Sequence, residues 1–369
     1  MSRAWVKPPS TQLAGGGAFQ AIRSESDTAF VAFSALSAKQ PRFHFFFTLE
    51  PLAGISKLLV RDPAHSWYNA GLPGVGNSVD DIVVAIRHEL TKLGAKRVVT
   101  TGTSMGGYAA ILFGCLLGAE RAIALCPQTL LDPVLPYSPP ENVPLQVPDL
   151  RPVILGGAET KIDLVAGWDS MLDVFHAQRV AQLPSVRVLS LPQMGHTAAL
   201  TLKRIDALTP LITDLADGRT PERCDVAPPL AADLQARIAG HVFAMAQRDW
   251  EGAATSIRLV AERYPDWAGP WFSLGEALAR LSDWAGVEEA QRTAIDANPM
   301  WFRARILLGQ SLVEQGRAEE AVAVYRAAIS LEPEWPSGHR GLGECLTRLG
   351  RHDEAGESLR RAAELVKPR

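Results

Sequence analysis

The stretch Gly102-Thr-Ser-Met-Gly-Gly-Tyr108 carries the clearest chemical signal in this chain of 369 residues. It follows an apolar, β-branched run, Arg97–Thr101, and opens a helical pattern that continues to Leu117. Gly-x-Ser-x-Gly at a strand-to-helix junction builds a nucleophile elbow. The serine takes a strained backbone conformation, and the glycines two residues to either side let neighbouring segments pass close by. The turn lifts the Ser104 hydroxyl above the carboxyl edge of a sheet. It also directs the backbone N–H of Met105, at the start of a helix, toward a position where it can stabilise an oxyanion. A serine hydroxyl is a poor nucleophile until a base within hydrogen-bond reach takes its proton, and that base is oriented by a third group. The chain must therefore bring a histidine and a carboxylate to Ser104.

At this motif, and over about residues 16–215, the chain resembles the α/β-hydrolase superfamily. The resemblance implies a serine hydrolase whose partners follow in the order Ser, Asp or Glu, His. His196 lies in Leu191-Pro-Gln-Met-Gly-His-Thr197, directly after the last predicted strand, where this family carries its histidine. The other histidines have weaker settings. His176 is inside a helical run, His44 is in an apolar strand, His65 and His88 precede Ser104, and His241, His339 and His352 belong to C-terminal repeats. The family places its acid just past a strand such as Ile162–Ala166, which favours Asp169, two residues beyond Gly167. Asp173 is the alternative and could instead cap a helix; Asp163 and Glu159 remain open. The second oxyanion donor is expected from the loop after an early strand, which points to the backbone N–H of Ala35.

Two neighbouring features invite chemistry less strongly. Gly71-Leu-Pro-Gly-Val-Gly76 lacks the Lys-Ser/Thr and the strand-to-helix setting of a phosphate loop and reads as a turn. Arg61 beside Asp62 reads as a structural ion pair, with a substrate anchor as the other possibility.

The elements that position these residues fall into two halves. Up to about residue 213, predicted strands are Ala18–Arg23, Thr28–Ser34, Phe43–Leu49, Lys57–Arg61, Arg97–Thr101, Ala122–Cys126, Ile162–Ala166 and Val186–Leu191. Predicted helices are Val79–Leu93, Gly106–Leu117, Asp173–Gln182 and Ala198–Leu215. Strands alternating with helices give an α/β fold with a mainly parallel sheet, here residues 1–216. Pro127 to Pro152, crowded with prolines, reads as an irregular excursion. It leaves no space for a large helical lid, so an open site is expected. Residues 217–229 are rich in turn formers and read as a linker, beyond which no strand pattern survives.

Residues 230–369 repeat. Pro265, Pro299 and Pro333 are spaced by 34 residues, and the pairs Leu274-Gly275, Leu308-Gly309 and Leu342-Gly343 follow at the same interval. Val287, Ala321 and Ala355, then Ala294, Ala328 and Ala362, keep that register. The pattern resembles the tetratricopeptide repeat, three clear units preceded by a degenerate one in which His241 replaces a small residue. Small residues let antiparallel helices approach, and proline ends each pair. The resemblance implies an all-α solenoid that binds a protein partner, with Trp267, Trp271, Trp301 and Trp335 at or near repeat boundaries as anchor candidates.

Composition narrows the rest. The 37 basic and 40 acidic side chains give a net charge of −3, without the basic excess of a nucleic-acid binder. An apolar fraction of 47% excludes disorder as the main state. No apolar run is long enough to span a membrane, and the start lacks the apolar core of a secretory signal. The 4 cysteines, Cys115, Cys126, Cys224 and Cys345, show neither CxxC pairs nor metal-ligand spacing, so a reducing cytoplasm and no metal or cofactor are expected. The leading expectation is a serine hydrolase acting on an ester, thioester or amide through Ser104, His196 and Asp169. An acyltransferase using a sugar or alcohol acceptor shares the same residues. A non-catalytic scaffold acting through its repeats is the reading from another class.

Overall fold

The computed structural model describes residues 13–14, 17–36, 43, 45–52 and 54–366. They form two compact units that divide after Pro229, except that Asp169–Leu172 cluster with the second. The first unit runs β1 (Leu13–Ala14), β2 (Phe19–Ile22), β3 (Thr28–Phe33), α1 (Phe46–Leu49), β4 (Ser56–Val60), α2 (Val79–Leu93), β5 (Arg97–Thr103), α3 (Met105–Leu117), β6 (Arg121–Leu125), α4 (Arg151–Gly156), β7 (Lys161–Gly167), α5 (Met171–Gln178), β8 (Val186–Leu191), α6 (Ala198–Arg204), α7 (Leu208–Ala216) and β9 (Asp225–Val226).

Among the described residues the strands form one sheet in the order β1-β2-β4-β3-β5-β6-β7-β8-β9. Pairing is parallel from β4 through β8 and antiparallel at both ends. Period-two alternation divides the sheet between two cores. On β3, Ala29, Val31 and Phe33 face one core with Ile82, Ile86 and Leu112, while Phe30 and Ala32 face the other with Leu202, Leu211 and Leu215. Helix α2 starts at a capping box between Ser78 and Asp81 and stops at Gly94, whose φ of 72° is left-handed. The strand order reverses at the β3–β5 pair, so the loops leaving these two strands diverge and open a crevice at their carboxyl ends.

Several expectations need correction. Phe43–Leu49 is not a strand: Phe46–Leu49 form α1, and His44 lies outside the described residues. Phe43, Phe45 and Leu49 are all buried, and a short, densely apolar run does not itself distinguish strand from helix. The predicted helix Ala198–Leu215 breaks into α6 and α7 where Asp206 turns to φ 54°. The expected linker 217–229 supplies β9, which pairs with β8, and buries Cys224. Residues 127–150 are irregular as read, and Arg151–Gly156 add the short helix α4.

Helix α5 ties the irregular excursion down through His176. Its Nδ1 accepts the Thr129 backbone N–H at 3.2 Å, and the Thr129 hydroxyl donates to the His176 carbonyl at 2.8 Å. Burial, aided by nearby Arg179 and His196, pushes the His176 imidazole down to about 3.

The second unit comprises α8 (Ala232–Gln247), α9 (Trp250–Arg263), α10 (Ala268–Arg280), α11 (Trp284–Ala297), α12 (Phe302–Glu314), α13 (Ala318–Leu331), α14 (Pro336–Arg348) and α15 (His352–Val366). These pack as successive antiparallel pairs. Trp267, Trp301 and Trp335 occupy the N-cap positions of α10, α12 and α14. The glycines act as contact points: the Tyr325 ring on α13 fills the space beside Gly309 on α12 and Gly341 on α14. In the first pair, α8 and α9, the buried His241 is accommodated because its Nδ1 meets the Ala253 carbonyl at 3.0 Å.

Two stability predictions follow from this packing. Glycine to alanine inside an open helix stabilises by about 0.5–1 kcal/mol, yet Gly341→Ala should destabilise the chain by about 1–3 kcal/mol because a methyl there strikes a rigid ring. A denaturation midpoint at or above that of the parent would show that the ring has room. For His176, the unfolded chain binds a proton near pH 6.5 that the folded chain refuses, so its contribution falls as pH drops through 6.5 toward 3. Between pH 7 and 4.5 the loss from this group is about 3 kcal/mol. His176→Asn keeps an acceptor for Thr129 and should lack that part of the acid sensitivity in urea titrations at the two pH values; equal sensitivity would contradict a buried neutral imidazole.

Candidate active site

The site begins with the backbone of Ser104. It sits between β5 and α3 at φ 52° and ψ −122°, a strained conformation for a residue with a side chain. Its N–H is held by the Leu125 carbonyl at 2.9 Å. The flanking glycines are required sterically: a β-carbon on Gly102 would strike the Gly106 carbonyl, and one on Gly106 would strike the Phe33 carbonyl at the end of β3. The elbow therefore lies in the crevice where the strand order reverses.

His196 arrives from the loop after β8. Gly167, ending β7, has the carbonyl of Gly195 where a β-carbon would stand, so that loop can lie directly against β7. His196 Nε2 is 3.3 Å from Ser104 Oγ. Its Nδ1 is 2.7 Å from Asp173 Oδ1, in the first turn of α5. A carboxylate at Nδ1 keeps the proton on that nitrogen and leaves the Nε2 lone pair facing the serine. Burial alone would lower the His196 pKa; the charge of Asp173 and its hydrogen bond outweigh burial and raise it. Asp173 is itself buried, and the Cys126 thiol hydrogen-bonds to it. Burial first, then the Asp173 charge, pushes that thiol well up, so it stays protonated.

Asp169 is not the residue at the imidazole. It belongs to the second compact unit, where its Oδ2 accepts from Asn298 Nδ2 at 2.9 Å. Burial pushes its carboxyl up to about 6, against the Asn298 and Gly269 hydrogen bonds. The physical reason is the turn between β7 and α5: Asp169 lies in that turn, and the first turn of α5 brings Asp173, six residues beyond Gly167, to the sheet edge. Of the other acids considered, Asp163 is buried between Arg121 and Arg187, each at 2.6 Å, and Glu159 is exposed. Met105 begins α3, and its N–H is among the first-turn amides that a helix leaves without an intrahelical partner. Ala35 lies buried just past β3 at the same edge, next to Ser34, whose carbonyl accepts the Tyr68 hydroxyl at 3.0 Å.

Two residues at the site escaped the sequence reading. Gln128, fully buried, donates its Nε2 to Ser104 Oγ at 3.4 Å. Its signal was its place just beyond β6, on the same sheet edge. Tyr137 stacks on His196 with ring centroids 4.7 Å apart and planes inclined by 6°; nothing in its local sequence marks it. Arg61 and Asp62 do not act as the expected pair. The Asp62 carboxylate accepts the backbone N–H groups of Ala64, Ser66 and Tyr68, while Arg61 donates to the Gly17 carbonyl and lies over Phe43. The Gly71–Gly76 segment is a turn closed by Leu72 and Gly76.

Among the described residues, Cys126, Asp173 and His196 are a group able to offer three metal ligands within 4.8 Å. The 2.7 Å between His196 and Asp173 is a hydrogen-bond separation. Two ligands each about 2.0–2.2 Å from one tetrahedral ion stand farther apart than that. The arrangement can therefore pass a proton from Ser104 to His196 while Asp173 steadies the cation that results.

The helical unit holds a cavity of about 410 Å³ lined by Phe272, Glu276, Arg280, Arg303, Leu307 and Trp335 among others. Trp267, Trp271, Trp301 and Trp335 are all half-buried; Trp301 packs on Phe272 with centroids 4.5 Å apart. No described helix is long and apolar enough to cross a membrane.

Residues 306–367 match the sequence profile of the family described as Tetratricopeptide repeat. Comparison with curated proteins gives no match. Among solved structures, the chain is similar to MamA MSR-1 at 18% identity and a TM-score of 0.34, over 46% of this chain and 90% of that one. It is similar to MamA AMB-1 at 20% identity and a TM-score of 0.34, over 46% and 93%. A double mutant of MamA RS-1 gives 20% identity and a TM-score of 0.35, over 37% and 76%. The C-terminal unit is all-helical and solenoid-like, with tetratricopeptide repeats matched over residues 306–367, and it follows an α/β unit with a mostly parallel sheet.

Proposed function

We propose that the α/β unit is a serine hydrolase of the α/β-hydrolase type, cleaving a carboxylic ester, thioester or amide, and that the repeats bind a protein partner. The observation that carries the first part is the hydrogen-bonded series Ser104–His196–Asp173 at the carboxyl edge of the sheet. In this reading Ser104 Oγ bonds to the acyl carbon as its proton passes to His196 Nε2. The backbone N–H groups of Met105 and Ala35 stabilise the tetrahedral oxyanion. The bond to the leaving group breaks as His196 returns the proton to it. Water then repeats the sequence on the acyl-enzyme and releases the acid. Asp173 stays ionised and stabilises the imidazolium.

The site has an irregular excursion beside it rather than a large helical lid, which supports a polar or bulky substrate over a long acyl chain. The tetratricopeptide fold supports a protein-binding role, with the cavity beside Trp335 and Phe272 as the surface for it. The four cysteines are all free and buried, which fits a reducing cytoplasm.

Steady-state hydrolysis of a small activated ester by the full chain tests the reading. Ser104→Ala should lower kcat by roughly 10³-fold or more, and Asp173→Asn by about 10²–10⁴-fold, while Asp169→Asn should stay within about threefold. Near-native turnover by the serine variant would remove the hydrolase reading. A large loss in Asp169→Asn with none in Asp173→Asn would overturn the acid.

A further inference from the structure

We propose that Tyr137 is a positioning residue for His196, holding the imidazole plane in line between Asp173 and Ser104 and stabilising the imidazolium formed at each proton transfer; this rests on the hydrolase reading of the site. The ring lies nearly parallel to the imidazole, 6° between planes and 4.7 Å between centroids. That geometry is an offset stack, a favoured arrangement for aromatic pairs, and it places the negative face of the phenol over the ring that becomes positive.

The tyrosine is not there to fill a core. It is 53% exposed, and its backbone sits at φ 60°, rare for a bulky residue. The surrounding turn holds it in that conformation. Asp132 accepts the Val134 N–H at 3.0 Å, the Leu135 N–H reaches the Asp132 carbonyl at 2.8 Å, and Asp132 N–H donates to the Ser138 hydroxyl at 3.3 Å. Leu131 and Leu135 are buried beneath, and the Leu131 N–H bonds to the Pro148 carbonyl at 2.7 Å. A strained, half-exposed aromatic on a self-braced turn, laid flat on one imidazole, is explained by what it does to that imidazole.

Among the described residues, the hydrogen bonds to the His196 ring are at its edges, from Asp173 at Nδ1 and by the long 3.3 Å approach to Ser104 at Nε2, and the stack adds a contact on its face. The titratable groups around it are Asp173, the Cys126 thiol beside Asp173, the buried His176 and Tyr137 itself. The first three are untouched by substitution at position 137.

Comparing Tyr137→Phe with Tyr137→Leu isolates the aromatic face, because both cover the imidazole but only one carries a π-system. The readouts are the pH profile of ester hydrolysis and the titration of His196 by NMR, both on the full chain. Phe should behave like the parent within about twofold. Leu should lower kcat about 5–10-fold with KM little changed. A neutral His196 is the base, and the ring favours its protonated form, so in Leu the acidic limb and the NMR midpoint should lie roughly half a pH unit below those of Phe. Leu and Phe indistinguishable in both readouts would overturn the proposal. The NMR midpoint reads the stack whether or not an ester is turned over, which separates its failure from failure of the hydrolase reading.

Discussion

The turn from β5 into α3 closes so tightly that Gly102 meets the Gly106 carbonyl and Gly106 meets the Phe33 carbonyl. Three segments of main chain pass within one atomic layer, and the strain falls on Ser104, whose backbone is held at φ 52°. No larger residue fits at either glycine, and the serine side chain is left facing out over the sheet edge. The position of β3 relative to β5, the direction of α3 and the crevice between their loops are all consequences of that crossing. A second close approach, Gly167 against the Gly195 carbonyl, brings the histidine loop to the same edge.

The serine and the histidine could be read from the chain because each sits at a fixed offset from a strand end, where loop length leaves little freedom. The carboxylate could not be settled that way. Asp169 is nearer to β7 along the chain, but it lies in the turn before α5, and the first turn of that helix carries Asp173 to the rim. Asp169 instead joins Asn298. Gln128 and Tyr137 lie on the irregular excursion, whose course is set by scattered bonds such as Thr129 to His176, and no periodicity announces such bonds.

Local pattern served best where one spacing recurs. Proline, Leu-Gly and alanine returning at 34 residues can satisfy only a stack of equivalent helix pairs, and the described pairs follow that register. It served worst where hydrophobicity was dense but short. Phe43–Leu49 reads as a strand because aromatic residues favour sheets, yet Phe43 and Phe45 are buried ahead of a single helical turn and Leu49 within it. Residues 217–229 looked like a tether because turn formers dominate them, while two residues, Asp225 and Val226, suffice to finish the sheet.

The central claim is that Ser104, His196 and Asp173 work as one nucleophilic unit. Its most direct test is covalent: treatment of the full chain with a fluorophosphonate, followed by peptide mapping. The account predicts a single phosphonylated serine at position 104, formed in the parent and lost in His196→Ala while the chain remains folded. A folded parent that takes up no label at Ser104, or a His196→Ala variant labelled there at the parental rate, would contradict it.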